Sequence, residues 1–170
     1  DSIVPILIDR VRNGVEVRIL YDGMGGRFMP QKRWEQLEKA GVKVGGFFPA
    51  LLGRLNLRIN YRNHRKIVVI DGNIGYVGGF NIGREYISRD PKFGYWRDTH
   101  LRITGDAVVS LQIRFALDWN YATHENLFTN MAYFEPQDRA DLVRAMQTGE
   151  KRLLAIQIVA SGPDTLDRQI

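Results

Sequence analysis

The chain has 170 residues and a mass of 19.5 kDa, enough for one domain with a sizeable core. With 44% hydrophobic and 25% charged residues it is neither disordered nor fibrous. Its longest purely aliphatic run, Ile67 to Ile70, falls far short of the ~18 residues of a membrane span, and the absence of cysteine excludes disulfides and thiolate chemistry.

In chain order, Ile3 to Arg12 has helical spacing, with Gly14 as a stop signal. Val15 to Tyr21 is rich in β-branched residues and reads as a strand, followed by a flexible turn at Asp22-Gly23 and Gly25-Gly26. Gln31 to Ala40 is a short helix closed by Gly41, and Val42 to Phe48 a second strand. Pro49 to Asn60 reads as an irregular basic loop. Lys66 to Ile70, Asp71-Gly72 and Ile74 to Phe80 form a hairpin pattern, two apolar runs around a tight-turn dipeptide. Further on come a strand over Asp98 to Thr104, a helix over Ala107 to Trp119, a helix over Asp138 to Gln147 and a strand over Arg152 to Ala160. Strands interleaved with helices define an α/β class, a mixed β-sheet sandwiched by helices.

The net charge is 24 − 19 = +5, and it is uneven. From Lys39 to Ile70 there is no acid, while Lys39, Lys43, Arg54, Arg58, Arg62, Arg65 and Lys66 are all basic. Such a block either forms a solvated face or meets an anionic partner. Its end carries the sharpest motif, Asn63-His64-Arg65-Lys66 leading into Ile67 to Ile70 and Asp71. Strand alternation puts His64 and Lys66 on one face, at the mouth of a strand expected to be buried and central because the run has no polar side. An imidazole can attack phosphorus or carry a proton, and an ammonium can neutralise phosphate oxygens as charge builds. Asp71, of opposite parity, is expected to support this pair from the turn. Gly78-Gly79 permits close backbone approach, and Asn81 offers an amide donor. In Trp96-Arg97-Asp98-Thr99-His100, Thr99, Leu101 and Ile103 form an apolar face and Asp98, His100 and Arg102 a polar one. Asp98 is the candidate to fix the His64 tautomer. Trp119 and His124 read as structural, and histidines scattered at 64, 100 and 124 give no ligand cluster of their own.

His64-x-Lys66-x4-Asp71 followed by Gly78-Gly79-x-Asn81 resembles the signature of the phospholipase D superfamily. The wider set resembles the first catalytic half of bacterial cardiolipin synthases: Tyr21-Asp22-Gly23, Gly78 to Gly83, Glu85-Tyr86, Trp96 to His100 and Ser161 to Asp164. The resemblance implies phosphatidyl transfer through a phosphohistidine, forming cardiolipin from two phosphatidylglycerol molecules with release of glycerol. It makes His64 the nucleophile of its half, with Lys66 and Asn81, together with Gly79 and Arg65, at the phosphate and Asp71 and Asp98 in support. It implies no metal or other cofactor, and Gly79 stands where many members of the superfamily carry serine.

The superfamily's sites use two such motifs and this chain has one. The expectation is therefore a first catalytic domain over 1–160 and, over 161–170, the start of a junction to a second half, the whole being a piece of a longer chain. The expected partners are phosphatidylglycerol, an anionic membrane and a second motif-bearing half or a homodimer mate, with nucleic acid disfavoured. The expected location is the cytoplasmic side of a bacterial cell membrane for the longer protein, the piece itself being soluble. Two alternatives stand beside this: a phosphodiesterase or nuclease acting as a single-motif homodimer, and a non-catalytic module for anionic lipid heads. The stretch Phe47 to Leu52, followed by Arg54 and Arg58, is either core or a lipid-facing segment.

Overall fold

The computed structural model describes residues 3–47, 63–135, 143–144, 147–149 and 154–160. The chain divides into two compact units, Asp1–His64 with Leu117–Asn126, and Arg65–Ala116 with Leu127–Ile170.

In the first unit, helix α1 (Ile3–Arg12) ends as its glycine signal requires. Gly14 takes φ +84° and its N–H donates to the Val11 carbonyl. Strand β1 (Arg18–Asp22) pairs in parallel with β2 (Lys43–Phe47), with helix α2 (Gln31–Lys39) as the crossover. Gly41, at φ +99°, turns the chain from α2 into β2. Val4, Leu37 and Val42 form the buried core here, with Leu7, Ile8, Ile19 and Trp34 packed around them.

In the second unit, β3 (Ile67–Ile70) and β4 (Ile74–Gly78) form the expected antiparallel hairpin, and β5 (His100–Thr104) pairs on the far side of β4. Asp71 and Gly72 both have positive φ, 51° and 67°, and the Asn73 N–H closes on the Ile70 carbonyl. That is the turn an Asp-Gly dipeptide favours, because its twist matches the strands it joins. Register places Val69, Gly75 and Ile103 abreast on one face, where Ile103, Val108 and Leu111 form the core. Val108 and Leu111 come from helix α3 (Ala107–Thr123), which runs four residues beyond the expected Trp119 end. Gly75 is required at this crossing, since a Cβ there would lie 2.7 Å from a Leu111 methyl.

Three expectations need correction. The β3 strand is not central: among the described residues it pairs with β4 alone, and Val68 and Ile70 are exposed on the face away from α3. An unbroken aliphatic run reads alike whether its second face is covered or not. Of the face assigned to Leu101 and Ile103, only Ile103 is buried, because α3 crosses the sheet over Gly75 and Ile103 while Leu101 lies outside that footprint. Residues 154–160 are not a strand. Ile158 packs on the second core while Leu154, Ile156 and Val159 are exposed, so the alternation marks a one-sided contact without ladder pairing. Residues 48–62, most of the Asp138–Gln147 segment and Ser161 onward lie outside the described residues; Val143, Arg144 and Gln147 are helical as expected. Among the described residues no helix is long and apolar enough to cross a membrane.

An ion cluster ties the ends of the first unit together. Glu125 accepts from Arg18 at 3.0 Å, Lys43 at 2.8 Å and the Trp119 indole at 2.8 Å, and Arg18 also pairs with Glu16 at 2.8 Å. Trp119 is buried against Gly45, whose missing side chain leaves room for its ring. The Arg18 and Lys43 hydrogen bonds hold the Glu125 carboxyl down at about 2, and the same bond raises the Lys43 ammonium. A carboxyl depressed in the folded state contributes stability above its ordinary 4.5 that is lost as pH falls toward about 2. Exposure of the cluster screens that contribution, so it is small. Glu125→Gln is expected to lower the melting temperature at pH 7 and to flatten the fall in stability between pH 4.5 and about 2, read by thermal melts across pH.

Candidate active site

The backbone leading into the motif is held in the first unit. Asn63 donates its N–H to Asp22 Oδ2 at 3.1 Å and its side-chain amide to Asp118 Oδ2 at 3.1 Å. Asp22, at the end of β1, also receives the Met24 and Gly25 N–H groups on Oδ1, at 3.1 and 2.8 Å. One carboxylate therefore closes the Asp22-Gly23 turn and secures the residue before His64. Asp118 is only 4% exposed, and a buried carboxylate needs partners of this kind. Sequence reasoning missed Asp118. Its signal was an acid within the otherwise apolar Phe115-Ala116-Leu117 and Trp119 stretch of α3, a pattern equally open to an ordinary surface position.

His64 closes the first unit and is exposed; Arg65 and Lys66 open the second and are half-buried. Strand β3 begins only at Ile67, so His64 and Lys66 lie on the approach to it, and strand alternation does not set their common face as expected. Asp71 is at the hairpin turn, as the Asp-Gly dipeptide indicated, and is exposed.

The second unit gathers Gly78, Gly79, Asn81 and Asp98. The Asp98 carboxylate accepts the Thr99 N–H at 2.7 Å and a long contact from the Trp96 indole at 3.5 Å. It lies over Gly79, where any Cβ would overlap it. Gly79 is thus the residue that lets this carboxylate sit against the backbone, and a serine hydroxyl has no room there while Asp98 keeps its place. Gly78 serves the neighbouring contact, its Cα facing the Thr99 carbonyl and the His100 ring. His100 is stacked on Phe80 at 5.6 Å, and its buried Nδ1 has no hydrogen-bond partner. Asn81 is exposed and donates to the Tyr86 hydroxyl at 2.5 Å, leaving its second amide hydrogen available. Trp96 packs edge-on against Tyr86 at 5.0 Å. Among the described residues no three His, Cys, Asp or Glu side chains gather as a metal site.

The His-x-Lys-x4-Asp motif on the approach to and turn of a hairpin, followed by a glycine pair, an asparagine and a carboxylate over the second glycine, fits a phospholipase D-like domain. The family model described as cardiolipin synthase, PLD-like domain, matches residues 1–93, and the chain belongs to that family. It is 49% identical over 164 residues to the major cardiolipin synthase of Bacillus subtilis strain 168, covering 96% of this chain and 32% of that protein. It is 48% identical over 170 residues to the cardiolipin synthase of Oceanobacillus iheyensis, covering 100% and 33%. A cardiolipin synthase of Staphylococcus aureus strain Mu50 is 49% identical over 162 residues, covering 95% and 31%. The chain therefore spans about a third of the length of the relatives it matches.

Two substitutions probe this geometry. Asp118→Ala removes the 3.1 Å hydrogen bond from the Asn63 amide and is expected to cost about 1–3 kcal/mol in urea unfolding. Gly79→Ser is expected to push the Asp98 carboxylate off the backbone, and because that carboxylate is the end of a side chain that can swing aside, the cost should stay near or below about 1 kcal/mol. Adding Asp98→Ala should recover most of that loss, since the two positions share one space, and a double-mutant cycle measures the coupling.

Proposed function

We propose that the chain supplies one motif-bearing half of a phosphatidyltransferase that makes cardiolipin from two phosphatidylglycerol molecules and releases glycerol. The observation that carries this reading is His64-x-Lys66-x4-Asp71 with Gly78-Gly79-Phe80-Asn81 in a chain 49% identical to a cardiolipin synthase. In this reading a His64 ring nitrogen attacks the phosphorus of the first lipid. The P–N bond forms as the P–O bond to glycerol breaks, and the departing glycerol oxygen takes a proton from the histidine of a second motif. That histidine, now neutral, removes the proton from the terminal hydroxyl of a second phosphatidylglycerol. The hydroxyl oxygen attacks phosphorus, the P–N bond breaks and His64 is restored.

The roles of the remaining residues follow from their chemistry. Lys66, Arg65 and the free hydrogen of the Asn81 amide offset the charge on the non-bridging oxygens, which grows toward the transition state. Asp98 orients the imidazole of His64 and stabilises its charged form. Asp71 takes the first positive-φ position of the turn that ends β3. Gly79 serves by what it lacks, giving Asp98 its position. Membrane association of the longer protein, with the catalytic face on the cytoplasmic side, belongs to the same reading, as does a second half completing the site.

The test is turnover of phosphatidylglycerol vesicles by the longer protein. His64→Ala is expected to abolish cardiolipin formation, by at least ~10³-fold, because the covalent step is lost. Unchanged turnover would remove His64 from the role of nucleophile. Cleavage of a generic phosphodiester by a dimer of the 170-residue chain would instead favour a phosphodiesterase.

A further inference from the structure

Between Asn81 and Asp98 the chain forms a connection with an unusual surface. Ile82 is 81% exposed, Tyr95 84%, Ile87 57% and Phe93 52%. Four large apolar side chains held in water within one short segment need an explanation, since soluble surfaces carry such residues singly. The same segment carries Arg84, Arg89, Lys92 and Arg97 against only Glu85 and Asp90.

The connection is a built structure. Arg89 N–H donates to the Arg84 carbonyl at 2.9 Å, and Ser88 takes a left-handed φ of 55° and accepts the Trp96 N–H on its hydroxyl at 3.0 Å. Asp90 caps the turn that follows, receiving Lys92, Phe93 and Gly94 N–H groups on its side chain or carbonyl. Trp96 and Tyr86, both half-buried, pack edge-on, and one side of the Phe93 ring meets Trp96 while the residue stays half exposed. The exposed residues are thus presented by a hydrogen-bonded frame, and their exposure is not a consequence of missing order.

We propose that this connection, residues 82–97, docks into the headgroup region of an anionic phospholipid bilayer. Ile82, Ile87, Phe93 and Tyr95 enter the apolar boundary, and the arginines and Lys92 stay at the phosphates. The composition selects this occupant. Aromatic side chains with a polar edge prefer the membrane interface, and long cationic side chains reach from apolar surroundings to headgroup oxygens. A protein partner fits less well, because protein interfaces are depleted in lysine at their centre and bury a contiguous patch. Here cations alternate with the exposed apolar residues along the chain, with Lys92 over the Phe93 ring at 5.6 Å, and the excess positive charge complements anionic lipid. The inference rests on the phosphatidyl-transfer reading only in supposing that a bilayer is near. It goes beyond that reading in naming the surface that meets the bilayer, next to Asn81 and Asp98.

The chain has no cysteine, so single-cysteine variants label cleanly. Ile82→Cys, Tyr95→Cys and, as a control, Ser110→Cys on an exposed position of α3 would each carry an environment-sensitive fluorophore. On mixing the 170-residue chain with vesicles of phosphatidylglycerol and phosphatidylcholine, blue-shifted emission is expected at 82 and 95 and not at 110. Pure phosphatidylcholine vesicles should produce no shift, and about 0.5 M salt should suppress it. Independently, Ile82→Ser with Tyr95→Ser should weaken vesicle binding ~10-fold with an unchanged melting temperature, because both side chains are exposed. No shift at either labelled position, an equal shift at 110, or equal response to neutral vesicles would overturn the proposal. None of these readouts needs turnover. Catalysis by the longer protein with silent labels counts against the loop alone, and shifted labels in a protein without transferase activity uphold the loop while removing the transfer reading.

Discussion

The hydrogen bonds around Asn63 are the constraint on which the motif depends. If His64 attacks phosphorus as proposed, its backbone must be held within a fraction of an ångström, and loops seldom hold themselves. Here the residue before His64 is fixed twice, by Asp22 through its backbone and by Asp118 through its amide. Both acceptors are themselves committed. Asp22 closes its own turn, and Asp118 is buried on a helix, where an unpaired carboxylate would be costly. The polar groups therefore satisfy one another, and the histidine inherits the order.

The second unit solves a related problem with absent side chains. Gly75 admits a leucine of α3, Gly78 admits the backbone of Thr99 and His100, and Gly79 admits the Asp98 carboxylate. Three glycines in five residues of β4 and its exit let helix, strand and carboxylate approach one short ladder closely. The usual weakness of glycine in a strand is offset by packing that no larger residue permits. A carboxylate held this way, with one oxygen on a backbone N–H, has a defined position in the second unit.

These local devices fit a chemistry in which the protein does little covalently beyond one nucleophile and much by placing charge. The chain spans about a third of its relatives, and the proposed reaction uses a second histidine that its own motif does not supply. The exposed connection after Asn81 adds a spatial aspect. It runs between Asn81 and Asp98, so a bilayer contact there would lie beside two of the residues proposed to act at the phosphate.

Much was legible in the sequence. Glycines at 14 and 41, an Asp-Gly dipeptide at 71 and 72, and helical or β-branched periodicity act locally. They determined α1, α2, the β3–β4 hairpin and the α/β class before any packing was known. The motif itself was equally plain, because its residue types stand at a fixed spacing; the roles of those residues are proposals. What the tertiary structure alone decided was environment. Only packing shows that β3 has a single strand neighbour among the described residues, that Leu101 is exposed and Ile103 is not, and that 154–160 makes a contact without pairing. Only packing shows that Asp118, 55 positions after Asn63, is its acceptor, and that Gly79 matters for the carboxylate above it. Local backbone preferences are written in neighbouring residues. Burial and hydrogen-bond partners depend on which distant segments the chain brings together, and no short window of sequence contains that information.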